Sequence, residues 1–234
     1  MKEMQNKIKE YFKELQFDAQ KHSYEVRGKP LTSVSKTIHK YVEKVDFDKI
    51  AGFVAKKRGI TKAEVLAEWE AKKVASCNQG TSVHIFGENY FKGKEPTNGF
   101  EQAIVKFWDN IPEYIEPFLF ELQMFSETLG IAGTSDIILF NKRTGKFILA
   151  DYKTNIDLFK NYKGKTLLPP FDNLLDSPYN KYQLQLSLYQ LLFEQCGYEI
   201  ESRRIIWLKP NGLYENFKTE DLTQKLLKEL TKWK

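Results

Sequence analysis

Two short apolar runs, separated by a polar segment that contains glycine, constrain this chain more than any other feature. The runs are 137–140 and 147–149, and the segment between them is 141–145. Branched and aromatic residues favour strands, and a short polar segment with glycine between two strands favours a hairpin turn. The sequence therefore predicts an antiparallel hairpin, with strands at 136–140 and 146–152.

The position of the turn decides which residues face one another across this hairpin. If the turn is centred between Arg143 and Thr144, Asp136 lies opposite Asp151, with Cβ atoms about 5 Å apart. Side chains alternate between the two faces of a strand, so Lys153 shares a face with Asp151. A slip of one residue would turn Asp136 to the other face. This register therefore predicts that two carboxylates and one amine converge.

Two carboxylates this close repel each other, and one of them keeps its proton unless a cation neutralises the pair. The alternative is that Asp136, Asp151 and Lys153 are solvated charges at the end of a surface hairpin, where they protect an edge. Both faces of the predicted hairpin are apolar, which indicates buried strands, and buried strands rarely carry idle carboxylates. The pattern favours a divalent metal site with a lysine beside it.

The composition is that of a folded protein. The 234 residues are 41% hydrophobic, with 17 Phe and 12 Tyr, and suit one domain, 1–234. No apolar run approaches the roughly 20 residues that span a membrane, and the N-terminal segment lacks the apolar core of a secretion signal. Cys77 and Cys196 are too few for a disulfide framework or a metal cluster. We expect a cytoplasmic protein with no membrane partner.

The remaining sequence predicts helices mixed with strands, in an order that favours a mixed α/β sheet flanked by helices. Hydrophobic spacing and capping signals predict helices at 1–16, 61–73, 81–91, around 104–108, 177–197 and 219–233. The further predicted strands are 23–26, 30–32, 118–126 and 203–208. Thr61-Lys-Ala-Glu64 is a capping box, and we expect Gly80 to separate two helices. This order predicts a mostly helical region at 1–79, a core at 80–208 and a closing helix at 219–233.

Two of these helices carry further candidate residues. His84 and Glu88 lie one turn apart on one helix face. A helical histidine is more often a bystander than a ligand, and Glu88 is open as a ligand, a partner of His84 or an exposed acid. Gln185 and Tyr189 also share a helix face. They either hold a phosphate and orient the lysine, or form an ordinary polar face.

The segment 155–176 is a long basic loop, and such loops in compact domains are typically functional or mobile. The lysines that would hold a nucleic-acid strand are Lys160, Lys163 and Lys165. The stretch Lys163-Gly164-Lys165-Thr166 is similar to the end of a phosphate-binding P-loop. Phe159 occupies the position where that motif needs glycine, however, and no predicted strand leads into it. We therefore expect no nucleoside triphosphate partner. The net charge of +5 is compatible with a polyanionic partner without requiring one.

Four motifs, in this order, resemble those of the PD-(D/E)XK nuclease superfamily, in its RecB-like branch. They are Gly80-Thr81-x-x-His84, Gly133-Thr-Ser-Asp136, Asp151-Tyr-Lys153 and Gln185-x-x-x-Tyr189. Each motif is weak by itself, whereas four in order over roughly 30–208 are specific. The chain looks most like phage-type exonucleases and the mitochondrial genome maintenance exonuclease. It departs from many relatives in having Asp151 where they have Glu, and it lacks the cysteines that hold an iron–sulfur cluster in some.

The resemblance implies a restriction-endonuclease-like fold, in which a mixed β-sheet with an αβββαβ core is flanked by helices and preceded by an N-terminal helical region. It also implies a Mg²⁺ or Mn²⁺ ion. The ligands that it implies are His84, Asp136, Asp151 and the backbone carbonyl of Tyr152. Asp136, Asp151 and Lys153 would be the catalytic residues, with Lys153 positioning or activating the attacking water. Gln185 and Tyr189 would contact Lys153 or the DNA backbone.

The function that the resemblance implies is metal-dependent hydrolysis of DNA phosphodiester bonds, by an exonuclease that acts on DNA ends or single strands. Two alternatives stay open: an endonuclease of the same superfamily, and a nucleic-acid-binding module without catalytic activity. The sequence leaves open the strand polarity, the choice between DNA and RNA, the number of metal ions and the oligomeric state.

Overall fold

The computed structural model describes residues 1–18, 20–21 and 23–232. The helices in these ranges are α1 (Lys2–Tyr11), α2 (Val34–His39), α3 (Phe47–Arg58), α4 (Lys62–Asn89), α5 (Gly99–Asp109), α6 (Pro178–Phe193) and α7 (Thr223–Thr231). The strands are β1 (Leu15–Asp18), β2 (Ser23–Val26), β3 (Lys29–Ser33), β4 (Ile115–Ser126), β5 (Ile131–Asn141), β6 (Lys146–Lys153), β7 (Ile200–Leu208) and β8 (Tyr214–Lys218). The predicted mixed α/β sheet flanked by helices is confirmed.

The strands form one mixed sheet with β5 and β6 at its centre. Strand β5 runs antiparallel to β4 on one side and to β6 on the other. Strand β6 pairs in parallel with β7, which runs antiparallel to β8. The three-stranded meander β1–β2–β3 joins this sheet through two parallel pairs, Thr32 with Ile131 and Ser33 with Ala132. The N-terminal region is therefore part of the same sheet.

The central hairpin has the predicted register. Its paired residues run from Ile137 opposite Ala150 to Asn141 opposite Lys146, and the next step of the same register places Asp136 opposite Asp151. A slipped register would have separated these acids, so the local sequence pattern located them correctly.

Both faces of this hairpin are buried, as predicted. Ile138 and Leu149 belong to the core on the side of α6. Ile137 and Ala150 belong to the core on the opposite side, where α4 and α5 pack. The hairpin is thus held between two helical layers, which fixes the positions of the residues at its open end.

Three predicted helix boundaries were wrong. Helix α1 ends at Tyr11, because Leu15 already begins β1. The two helices expected on either side of Gly80 are one 28-residue helix, α4, which also crosses the predicted boundary at 79/80. A glycine inside a helix costs only about 1 kcal/mol, and the burial of Val65 before Gly80 and of Val83 after it outweighs this cost. The closing helix, expected at 219–233, occupies Thr223–Thr231, and position 233 lies outside the described residues.

Other local predictions were confirmed. Thr61 and Glu64 form the capping box of α4, and Ser177 caps α6 with Pro178 in its first turn.

The structure also differs from the predicted elements in length and number. Strand β5 begins at Ile131, five residues before the predicted start. Helices α2 and α3 and strand β8 were not predicted individually. Within the described ranges, the helices are all too short or too polar to cross a lipid bilayer.

Two glycines of α4 give matched tests of this packing. A Cβ at Gly87 would lie 2.5 Å from the ring of Tyr152, whereas a Cβ at Gly80 has no atom within 4 Å. We expect Gly87→Ala to lower the free energy of unfolding by about 1–3 kcal/mol through overpacking. Gly80→Ala should raise it by about 0.5–1 kcal/mol, because alanine favours a helix. Urea unfolding followed by circular dichroism measures both, and destabilisation by Gly80→Ala would contradict a continuous α4.

Candidate metal and active site

The acidic residues lie where the central sheet divides. Strand β4 pairs with β5 along one edge. On the other edge, β6 pairs with Ile137 and the residues after it, while β3 pairs with Ile131 and Ala132. Residues 133–136 therefore lie between two different partner strands. The gap leaves room beside Asp136 for groups from outside the sheet.

Asp136 and Asp151 face each other in this gap and are both largely buried. The side chain of Asp151 is 1% exposed and that of Asp136 is 12% exposed. Burial raises the pKa of Asp136 well above its ordinary value, and the negative charge of Asp151 raises it further. Burial acts in the same direction on Asp151, but the charge of Lys153 and the hydrogen bonds that Asp136 and Lys153 make with this carboxyl act together against burial and lower its pKa. Without a cation, the pair therefore holds a shared proton.

His84 approaches Asp136 from α4. Its Nδ1 atom lies 3.1 Å from Oδ2 of Asp136 and 3.8 Å from Oε1 of Glu121. One possible ligand atom from each of these three residues lies within 4.8 Å of the others. The structure thus brings His84 and Asp136 together as the sequence predicted, and it adds Glu121, which the sequence analysis missed.

Glu121 occupies an irregular position in β4. Its neighbours pair as Phe120 with Ile137 and Leu122 with Ser135, which places Glu121 level with Asp136. Its φ of 49° lies in the left-handed region, which costs a non-glycine residue of order 1–3 kcal/mol. Such strain is typical of residues that a functional site holds in place. The available sequence signal was a single acid inside the apolar run at 118–122.

The donor atoms of this group fit a divalent cation. Oδ2 of Asp136 and both carboxylate oxygens of Asp151 are buried, and among the described residues their only close basic neighbours are His84 and Lys153. Buried polar atoms normally have partners, and exceptions require an explanation. A set dominated by carboxylates suits hard ions such as Mg²⁺ and Mn²⁺, while the imidazole also accepts softer metals.

Lys153 is held beside the acids by two contacts. Its ammonium forms an ion pair with Asp151 and lies 4.4 Å from the ring centroid of Tyr182. Burial acts to lower the pKa of Lys153, but the charges of Asp151 and Asp136 outweigh it and raise the pKa above its ordinary value. The amine is therefore a fixed positive charge. The Tyr182 hydroxyl donates to Asn155 Oδ1 over 2.9 Å, which fixes the ring beneath the amine.

Helix α6 presents Gln185 and Tyr189 on one face, as predicted. Gln185 Nε2 donates to the Tyr189 hydroxyl over 2.9 Å. The ring of Tyr189 packs so closely on Gly133 that a Cβ there would lie 2.8 Å away. Burial and then the charge of Asp136 raise the pKa of Tyr189 well above its ordinary value. Lys153 contacts α6 through Tyr182, which lies on the same helix face as Gln185 and Tyr189. The sequence analysis assigned no role to Tyr182.

The structure restricts the possible roles of two other candidates, Tyr152 and Glu88. The Tyr152 side chain is 2% exposed and packs in the opposite core, against α4 and α5. Only its backbone lies between Asp151 and Lys153, which is compatible with the predicted use of its carbonyl. Glu88, which the sequence left open, is exposed and lies outside the ligand group.

The three loop lysines have different surroundings in the structure. Lys160 lines a cleft of about 490 Å³ together with His84 and Lys153. Lys165 forms an ion pair with Glu43 at 2.6 Å, which offsets its charge. Lys163 lies 5.2 Å from the ring centroid of Tyr162. Of the three, Lys160 is the one that the structure brings to the site.

No protein-family model matches the chain, and no curated protein matches it. The chain does match solved structures. One of these is described as the crystal structure of SSO0001; it has 15% sequence identity and a TM-score of 0.36, over 90% of this chain and 79% of that chain. A similarity at this level identifies neither fold family nor function, so the functional interpretation depends on the geometry of the site.

A bound cation should stabilise the folded chain. We expect Mn²⁺ at a hundredfold excess over its dissociation constant to add about 2.7 kcal/mol to the free energy of unfolding. Asp136→Asn and Glu121→Gln should abolish most of this gain, since each removes a ligand. Glu88→Gln, a matched exposed acid, should behave as wild type. Denaturant unfolding with Mn²⁺ and with EDTA measures the effect, and an equal gain in all four proteins would exclude this site.

The raised pKa of Asp136 predicts how stability changes with pH in metal-free protein. An acid with a higher pKa in the folded state lowers stability as pH rises above its unfolded value of about 3.9. Asp136→Asn should therefore be more stable than wild type at neutral pH, and this advantage should vanish as pH falls below about 4. Thermal unfolding in EDTA across this range checks the sign. A difference that is independent of pH would show that ionisation of Asp136 is not its cause.

Proposed function

We propose that this chain is a divalent-metal-dependent deoxyribonuclease of the RecB-like branch of the PD-(D/E)XK superfamily, acting as an exonuclease on DNA ends or single strands. The observation that carries the proposal is the buried pair Asp136 and Asp151, which faces His84 and has the charged amine of Lys153 beside it. A pair of buried carboxylates without a cation is costly. Its presence beside a fixed amine supports a catalytic role.

The order of the elements supports the finer fold assignment. Helix α4 carries His84, and the antiparallel strands β4, β5 and β6 carry the acids and the lysine. Helix α6 then crosses to β7, which pairs in parallel with β6. These elements follow the αβββαβ order of a restriction-endonuclease-like core, with α5 as an additional helix between α4 and β4.

Each residue has a defined part in phosphodiester hydrolysis. His84, Glu121 and Asp136, with Asp151 and the Tyr152 carbonyl adjacent, would hold the cation. A divalent cation, when bound, supplies Lewis-acid chemistry that polarises a phosphoryl oxygen and acidifies water. Lys153 keeps its proton and places positive charge where negative charge develops on the phosphate.

Asp151 and Tyr182 act through Lys153. Asp151 forms an ion pair with the ammonium, and Tyr182 lies against it while its hydroxyl is bonded to Asn155. Because these contacts fix the amine before substrate binds, little reorganisation is needed during the reaction, which is how preorganised charge lowers a barrier.

The cleft beside the acids supports a nucleic-acid substrate. His84, Lys153 and Lys160 line it together with residues 154–157, which include two polar side chains and one acid, Asp157. Lys160 is exposed, and an exposed lysine in a groove attracts a polyanion in a salt-dependent manner. Among the alternatives, a binding module without activity would gain nothing from the buried acids, because like charges at the site oppose the binding of phosphate.

Substitution of the amine and the acid tests the activity. We expect Asp151→Asn and Lys153→Met to lower the rate of cleavage of linear DNA with Mn²⁺ by about 10²-fold or more, the usual effect of removing a preorganised charge. Lys142→Met is the matched control, since Lys142 is exposed and pairs with Glu116 beyond the far end of β5. Release of labelled nucleotides over time measures the rates.

Three results would contradict the proposal in different ways. Equal cleavage by Asp151→Asn and wild type would remove the site assignment. Binding of DNA without cleavage under either Mg²⁺ or Mn²⁺ would favour the non-catalytic module. Cleavage of covalently closed circular DNA would favour an endonuclease, because an exonuclease needs an end.

A further inference from the structure

A second cavity lies against the same acidic group, on the side of Glu121. We call it the aromatic cavity; its lining residues are Phe17, Tyr24, Ser33, Val34, Ser35, Glu121, Gln123, Gly133, Thr134 and Tyr189. It shares no lining residue with the lysine cleft described above. His84 lines the lysine cleft and Glu121 lines the aromatic cavity, while both belong to the ligand group. The cation site therefore lies between two separate spaces.

The two spaces differ in charge. The lysine cleft carries two lysines, Lys153 and Lys160, and one carboxylate, that of Asp157; its lysines suit a chain of phosphates. The described residues that line the aromatic cavity include no Lys or Arg, and its one ionisable carboxylate is Glu121. A continuous nucleic-acid backbone would meet only negative charge there, so the cavity disfavours a second phosphate.

The walls of the aromatic cavity suit a nucleoside. Tyr24 stacks on Phe17 with ring centroids 4.7 Å apart and planes 29° apart, and Tyr189 adds a third aromatic ring to the lining. Tyr24 and Thr134 share a hydrogen bond of 3.1 Å between their hydroxyls. Apolar walls with a few placed polar groups are typical of small-ligand sites, and aromatic walls suit the flat face of a base.

The size of the cavity limits what enters. Its volume of about 300 Å³ lies at the lower end of the range for small-ligand pockets, which suits one nucleotide unit. Residues of β1, β2 and the start of α2 line it, as does Tyr189 of α6. A chain that passes through the site therefore meets an open space with two lysines on one side and, on the other, a small space lined by aromatic rings and one carboxylate.

We propose that the aromatic cavity binds the single nucleotide on one side of the scissile phosphodiester, while the rest of the strand occupies the lysine cleft. Cleavage at this site then releases mononucleotides from an end. The inference rests on the proposed nuclease function and extends it to the position of the terminal nucleotide and the size of the product.

Ser35 offers a way to fill the cavity without touching the acids. It is exposed, lies in the first turn of α2 and lines the aromatic cavity. We expect Ser35→Trp to weaken binding of thymidine 5′-monophosphate with Mn²⁺ by at least tenfold, measured by isothermal titration calorimetry. His39→Trp is the matched control, because it adds the same bulk to an exposed position of α2 outside the cavity. Stabilisation by Mn²⁺ should be retained in both variants, which shows that they fold and keep the cation site.

Product analysis completes the test. With wild type and labelled linear DNA, mononucleotides should be the first products, and Ser35→Trp should release them at least tenfold more slowly. Failure of wild type to bind the monophosphate, equal binding by Ser35→Trp, or first products of mixed length would each overturn the assignment of the cavity. If the monophosphate binds and Ser35→Trp blocks it but no DNA is cleaved, the nuclease proposal fails and the nucleotide site stands.

Discussion

The mutual repulsion of two buried carboxyl groups governs the arrangement of this site. Asp136 and Asp151 face each other across the central hairpin in a region from which water is largely excluded, so both cannot carry an unbalanced charge. The ammonium of Lys153 neutralises Asp151. Asp136 is left to keep a proton or to meet a cation. His84 and Glu121 lie around Asp136 at distances that suit a cation. The carboxylate whose charge is not balanced therefore lies at the same position as the available ligands.

The sheet maintains this unfavourable arrangement because its two faces are buried in separate cores. Ile138 and Leu149 anchor one face and Ile137 and Ala150 the other, so a shift of register would move side chains into the wrong core and disrupt the packing of both faces. Apolar burial contributes about 25 cal/mol of stability per Å², and a hairpin that is buried on both faces gains this free energy on each face. The same rigidity holds Glu121 at a φ of 49°. Stability of the core thus offsets strain and repulsion at the open end of the hairpin.

The sequence predicted the parts of the site that depend on local pairing. Asp136, Asp151 and Lys153 lie within one hairpin, whose register follows from the positions of its apolar residues and its turn. Glu121 depends on the pairing of β4 with β5, in which the register shifts between Pro117 and Leu119, and no local pattern encodes that shift. The break predicted at Gly80 is absent for a related reason: local propensity favours an interruption, whereas α4 is anchored by buried residues on either side of it, Val65 before and Val83 after. The finer fold family and the activity stay proposals.

The sequence analysis did not predict that the N-terminal region contributes to the site. It was predicted as a mostly helical segment ahead of the core, yet β1, β2 and β3 extend the central sheet and α2 begins directly after β3. The pairing of Thr32 and Ser33 with β5 occupies the edge that β6 leaves free, and it sets Tyr24 against Thr134, two residues from Asp136. The end of β3 and the start of β5 thereby come together beside the acids. Neither helix spacing nor strand alternation in the sequence predicts this pairing. Because one wall of the site comes from residues before 79 and the other from residues after 80, no physical boundary separates an N-terminal region from a core.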